Sequence, residues 1–155
     1  MGTYGYISII AMLCYGFLLL MFLTAKKNKI ISESLTVRTS KMLYPLDAVA
    51  ASCLTLAIQR YGQNERTLFS FLHDTASNSI NSFLPNDTTT YNLAVVYDYV
   101  IYNFYTALAE TNLDSTNWRA IRVAIERVES GIINKNNIDD ALKIVKSIGL
   151  LNLFY

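Results

Sequence analysis

A single histidine, His73, stands in this chain, and no cysteine or carboxylate cluster is spaced around it. A zinc centre or a Ser-His-Asp arrangement therefore lacks its ligands and its base. Cysteine is almost as scarce. Cys14 lies in an apolar leader and Cys53 in an apolar helical pattern, a pair that makes neither a disulfide framework nor a metal site. Both are read as packing residues. Glycine numbers only six, and the six never gather into a loop able to cradle a phosphate. Serines and threonines abound, but none has a base beside it in the sequence. Runs that alternate apolar and polar residues are missing too, as is any internal repeat, which argues against strands. Net charge is only +1, so no general attraction to nucleic acid or acidic lipid follows. Taken together, the shortages describe a non-enzymatic, all-α chain with no metal or cofactor of its own.

One long absence of charge turns into a feature. From Tyr4 to Ala25 the run YGYISIIAMLCYGFLLLMFLTA carries no ionisable Lys, Arg, Asp or Glu, and Lys26, Lys27 and Lys29 follow at once. A helix needs about 20 apolar residues to cross a bilayer. The run is a poor secretory signal, because no positive charge precedes it and Leu23-Thr24-Ala25 is a weak cleavage site. With its lysines on the C-terminal side, the positive-inside rule leaves the short N-terminus outside and the rest in the cytoplasm. The expectation is a single-pass anchor in a cell inner membrane. The alternative is a helix buried in a cytoplasmic protein.

Residues 1–25 are thus read as the hydrophobic leader, 26–42 as a polar linker or frayed helix, and 43–155 as one helical module. The module is expected to be a bundle of about five helices. Tyr44-Pro45 opens the first, Leu46, Val49, Ala50, Cys53, Ala57 and Tyr61 share its apolar face, and Gly62 stops it. Asn64 caps a second helix with Leu68, Phe69, Phe71 and Leu72. Residues 74–90 form a polar loop with a helical turn near Ile80–Leu84. Leu93, Val96, Tyr97, Val100, Ile101, Phe104 and Leu108 then make a stripe so wide that this third helix belongs at the centre of the core. Asp114 or Ser115 caps a fourth, with Trp118, Ile121, Ile125 and Val128 inward and Gly131 ending it. Its other face carries Arg119, Arg122, Glu126, Arg127 and Glu129, typical solvated ion-pair partners. A fifth helix is expected to turn Ile138, Ala141, Leu142, Val145 and Ile148 inward and to stop at Gly149. The apolar end Leu150–Tyr155 requires burial, on this domain or on something that continues the chain.

The densest polar cluster is Gln63-Asn64-Glu65-Arg66-Thr67. Locally it reads as a helix start, with Asn64 as cap and Glu65 at the positive end of the dipole. Arg66 is out of place there, since a cation near a helix N-terminus is unfavourable by a few tenths of a kcal/mol. Its partner is either a distant acid such as Asp98, or a phosphate held by another domain, which its bidentate fork suits.

Around this cluster LYPLDAVAASCLTLAIQRYGQNERTLFSFL (Leu43–Leu72) resembles a stretch of large bacterial P-loop ATPases of the AAA+-like kind, among them the ATPase of BREX-type phage-defence systems. Their pattern runs from leucine-histidine-proline through an apolar helix into QNER, with Tyr44 here in place of the histidine. Val96-Tyr97-Asp98-Tyr99 and Lys146-Ser147-Ile148-Gly149-Leu150-Leu151-Asn152-Leu153 look like two further segments of the same proteins, in the same order. The resemblance implies a lid-like helical region without the nucleotide-binding core, acting by packing on a P-loop domain. ATP and magnesium would enter only with that core, and Asn64, Glu65 and Arg66 would be its nucleotide-sensing or structural cluster. The competing expectation is a membrane-anchored scaffold that binds a cytoplasmic protein.

Overall fold

The computed structural model describes residues 16, 19–73, 77–83, 90–110, 115–132 and 137–155. Among these, every regular element is a helix, and the chain is an all-α bundle. Helix α1 covers residues 19–27 and α2 is the single turn Val37–Lys41. They are followed by α3 (Ala48–Tyr61), α4 (Glu65–His73), α5 (Leu93–Glu110), α6 (Ser115–Arg127), a π-helical turn (Val128–Ile132) and α7 (Ile138–Phe154). The five longer helices of the module fall where the apolar periodicity predicts them; α2 is added inside the expected linker. Most of the expected membrane run, residues 4–25, lies outside the described residues, as does Asp114. Among the described residues no helix is long and apolar enough to cross a membrane.

Each helix start has a local cause. Thr36 and Thr39 close a capping box at α2, each side chain accepting from the other's backbone N–H. Asp47 caps α3, its Oδ1 accepting from Val49 and Ala50 at 2.8 and 3.2 Å. Asn92 does the same for α5, through Ala94 and Val95. Pro45 therefore does not sit in a helical first turn, as its sequence position predicts. It precedes the cap, and its carbonyl accepts from Tyr91 N at 2.8 Å while Tyr91 O accepts from Asp47 N at 3.0 Å. That pairing makes an isolated parallel bridge between Leu46 and Tyr91 and clamps the start of α3 to the approach to α5.

Helix α5 is central, as its all-round apolar pattern requires: it packs on α3, α6 and α7. Val96, Val100, Phe104 and Leu108 are buried, and so is Tyr99, while Tyr102 and Tyr105 face out. Rings link the helices edge to face. Phe83 meets Tyr91 at 5.3 Å, Tyr91 meets Phe71 at 5.5 Å, Phe71 meets Tyr99 at 5.0 Å and Tyr99 meets Phe104 at 5.9 Å. Tyr61 continues the series to Phe154, 6.4 Å from each neighbour. Phe71 is the buried residue of α4, so this short helix is held through one ring.

Two glycines behave differently from their sequence reading. Gly62 ends α3 in extended backbone rather than in a left-handed cap, and a Cβ there would lie 2.8 Å from Ile58 O and 2.9 Å from Thr67 Oγ1. Gly149 does not stop α7. It sits inside the helix where a Cβ would be 2.8 Å from Ile121 Cγ1, so the missing side chain lets α7 close on α6. The helix runs on to Phe154 and buries Leu150 and Leu153 against this domain. Of the residues read as inward, Ile138, Ala141, Leu142 and Val145 are half-buried, whereas Ile148 is 61% exposed and Ile144 is exposed beside it. Gly131 keeps its predicted role, with φ of 88° in the left-handed region.

Replacing Leu150 by Ala is expected to cost about 2–5 kcal/mol, whereas Ile148→Ala is expected to stay within about 0.5 kcal/mol of the parent. Urea denaturation of the two variants measures both, and equal losses would restore the inward reading of Ile148.

Candidate functional site

The turn between α3 and α4 is built from Gly62 to Thr67. Gln63 N–H donates to Thr67 Oγ1 at 2.8 Å, and Asn64 O accepts from Leu68 N at 2.9 Å. Asn64 itself takes a left-handed φ of 43°, a conformation Asn reaches more easily than most residues. Its contribution to α4 is thus a backbone carbonyl, and the side-chain acceptor at this turn belongs to Thr67. Glu65 opens the helix and is exposed. Arg66 is exposed as well, and its guanidinium meets the Gln63 side chain at 3.5 Å. Among the described residues no acid pairs with it.

Asp98, the acid nominated for Arg66, is engaged elsewhere. Both of its oxygens accept from Lys146 Nζ, at 2.7 and 2.9 Å. The same ammonium lies 5.8 Å from the Tyr97 ring centre, within range of a cation–π attraction. Two of the segments singled out in the sequence, Val96–Tyr99 and Lys146–Leu153, therefore meet across the α5–α7 interface. The pair is structural in form: a half-buried ammonium neutralised by a carboxylate and seated on a ring. Burial and the charge of Asp98 push the Tyr97 phenol up to about 12. Trp118 also packs against Tyr97, with ring centres 5.7 Å apart. A shallow groove of about 300 Å³ runs past the ion pair, lined by Asn92, Ala94, Val95, Asp98, Asp139, Leu142, Lys143 and Lys146. Lys143 in turn faces Asp140 at 3.1 Å, so both lysines at the groove carry a carboxylate partner.

Cys53 and Tyr91 are placed for packing, and His73 rests on a neighbouring ring. Cys53 is fully buried, and burial first, then the charge of Asp47, pushes its thiol up to about 12. Burial likewise raises the Tyr91 phenol, whose hydroxyl donates to Asn78 O and holds the loop after α4. His73 stacks on Phe69 with ring centres 4.4 Å apart, in the last turn of α4. No group of three His, Cys, Asp or Glu side chains converges among the described residues.

One node was not readable from the sequence. Ser52 Oγ and Tyr155 Oη both donate to Ile30 O, each at 2.6 Å, and lie 2.9 Å from one another. Ile31 is buried beside this point. The segment after the leader is thereby fastened to α3 and to the last residue of the chain, contacts 22 and 125 residues apart in sequence. Nothing local in Ser52 or Tyr155 marks such a partner.

No family model matches this chain, and neither a curated protein nor a solved structure does. The resemblance to the bacterial ATPases thus rests on the three segments alone.

Two expectations follow. Arg66→Ala should move stability by less than about 0.5 kcal/mol, while Asp98→Ala, which strands Lys146 over Tyr97, should cost about 1 kcal/mol or more; thermal melts of both variants make the comparison. The Cys53 thiol should stay silent to a thiol-directed reagent in the native state near neutral pH and react once urea unfolds the chain. Rapid native labelling of Cys53 would contradict its packing role.

Proposed function

We propose that this chain is a non-catalytic, membrane-anchored helical module that holds its domain at the cytoplasmic face of a cell inner membrane for a protein partner. The observation that carries the reading is the charge-free run of residues 4–25 followed by Lys26, Lys27 and Lys29. Its described end supports it: Leu19, Leu20, Met21 and Leu23 of α1 are all exposed, and the domain beneath leaves them uncovered. Burying such side chains in lipid is favourable by roughly 1.5–3 kcal/mol each for a full transfer. The node at Ile30, Ser52 and Tyr155 then fixes the domain close to the exit of the run. For the partner, the outer face of α4 offers Leu68, Phe69 and Leu72, with Phe69 62% exposed.

A second reading is favoured by one observation, the exposed Arg66 without an acid among the described residues. In it, the module is the lid-like region of a bacterial P-loop ATPase, and Arg66 meets the nucleotide of a separately supplied core. Arg66→Ala would then leave the fold intact and lower the ATPase rate of that core in the presence of the module. An unchanged rate removes this reading.

For the anchor, carbonate extraction of membranes carrying the full chain should leave it in the pellet. Protease added to inverted vesicles should degrade residues 43–155, and protease added to right-side-out vesicles should spare them. Release by carbonate would contradict the anchor and make the leader a helix packed on protein.

A further inference from the structure

We infer that the segment from Lys26 to Tyr44 is a membrane-surface contact that lays the domain on a bilayer rich in anionic headgroups. The inference rests on the anchor reading and adds to it a lipid class and an orientation. Five of the chain's 13 cationic side chains, Lys26, Lys27, Lys29, Arg38 and Lys41, fall in this segment, against one of its 12 acids, Glu33. The near-neutral total thus hides a segregated charge, with acids outnumbering cations in the remainder. All five cations lie within the 15–20 residues beyond an apolar run over which such charge acts on membrane orientation. Clusters of this size next to a membrane run are attracted to anionic lipid, each residue contributing about 1 kcal/mol, or a factor of about five.

The structure adds an apolar component to this charge. Helix α2 buries none of its residues. Val37 is exposed on it, Met42 directly after it is 80% exposed, and Tyr44 is 61% exposed. Arg38, Lys41 and Met42 follow one another at i, i+3 and i+4, so one side of the turn offers two cations and a thioether together. Tyr44 supplies a ring with a polar tip, the kind of side chain that settles at headgroup depth. A soluble partner would leave unexplained why these apolar side chains sit among the chain's densest cations and directly follow its charge-free run. An anionic bilayer surface accounts for both, and the hydrogen bonds of Ser52 and Tyr155 to the Ile30 carbonyl tie that surface to the domain.

The test uses the full chain with Cys14→Ser, since the buried Cys53 does not compete for label. An environment-sensitive fluorophore is attached at Met42→Cys, and the protein is reconstituted into phosphatidylcholine vesicles with or without phosphatidylserine. With phosphatidylserine, the emission should shift to the blue and be quenched by lipids spin-labelled near the headgroup. After Arg38→Gln with Lys41→Gln, the ratio of docked to free domain should fall about 25-fold, the product of two factors of about five, and without phosphatidylserine it should fall further. A label at Ile148→Cys should report water in every case. A Met42 label in water in the anionic vesicles, or a docked signal indifferent to both lipid and charge, overturns the inference. So does a lipid-buried Ile148 label with Met42 in water, which would make α7 the contact face. If carbonate releases the chain from these vesicles, the anchor reading falls as well; a retained chain with Met42 in water removes the surface contact alone.

Discussion

Ring contacts made through α5 are the constraint on which the module depends. Tyr99 and Phe104 point from one helix into the gaps beside α4 and α3, and each is met edge-on or tilted by a ring from another element. Such pairs add about 0.5–1.5 kcal/mol beyond the area they bury. They also restrict approach angles, which aliphatic contacts do not. The consequence is visible at both ends of the series. Phe71 holds the nine-residue α4, too short to be stable alone. Phe154 brings the last turn of α7 to Tyr61 and to Arg60, whose guanidinium lies 5.6 Å from the ring and also donates to Leu153 O. A cation at a helix C-terminus complements the dipole, so the same arginine secures α7 in two ways.

With the last turn of α7 fixed through Phe154 and Leu153, Tyr155 arrives at Ser52 and Ile30. The segment after residues 4–25 is therefore positioned by the packing of the opposite end of the chain. This is the physical link between the core and the proposed function: α5 orders α3 and α7, those two helices present Ser52 and Tyr155, and the two hydroxyls capture Ile30 O. Loosening the core would free the segment on which the basic residues and Met42 are carried.

The helices were legible because their apolar spacing is regular over many residues, and α5 stood out because it is apolar nearly all round. What the sequence concealed were positions governed by a partner rather than by spacing. Ile148 and Gly149 fit an inward, terminating pattern in the sequence, yet Gly149 packs on Ile121 within the helix, Leu150 and Leu153 beyond it face the core, and Ile148 is exposed. Pro45 suits a helical first turn until Tyr91 claims its carbonyl. Asp98 was a reasonable acid for Arg66 until Lys146, 48 residues further along, occupied both of its oxygens. The polar cluster at Gln63–Thr67 was correctly placed at a helix start, but Thr67, not Asn64, supplies the side-chain acceptor. Single residues with long-range partners leave no periodic trace.

The central claim is that two solvents organise this chain: the bundle is held by its own core, and the leader by lipid. Hydrogen exchange of the full chain in lipid nanodiscs, followed as urea is raised through the unfolding of the bundle, separates them. The account predicts that the amides of α5, from Val96 to Phe104, lose protection with the global transition, while those of residues 4–25 stay protected in the same urea. Loss of protection at both places in one transition would contradict it, because the leader would then owe its order to the bundle.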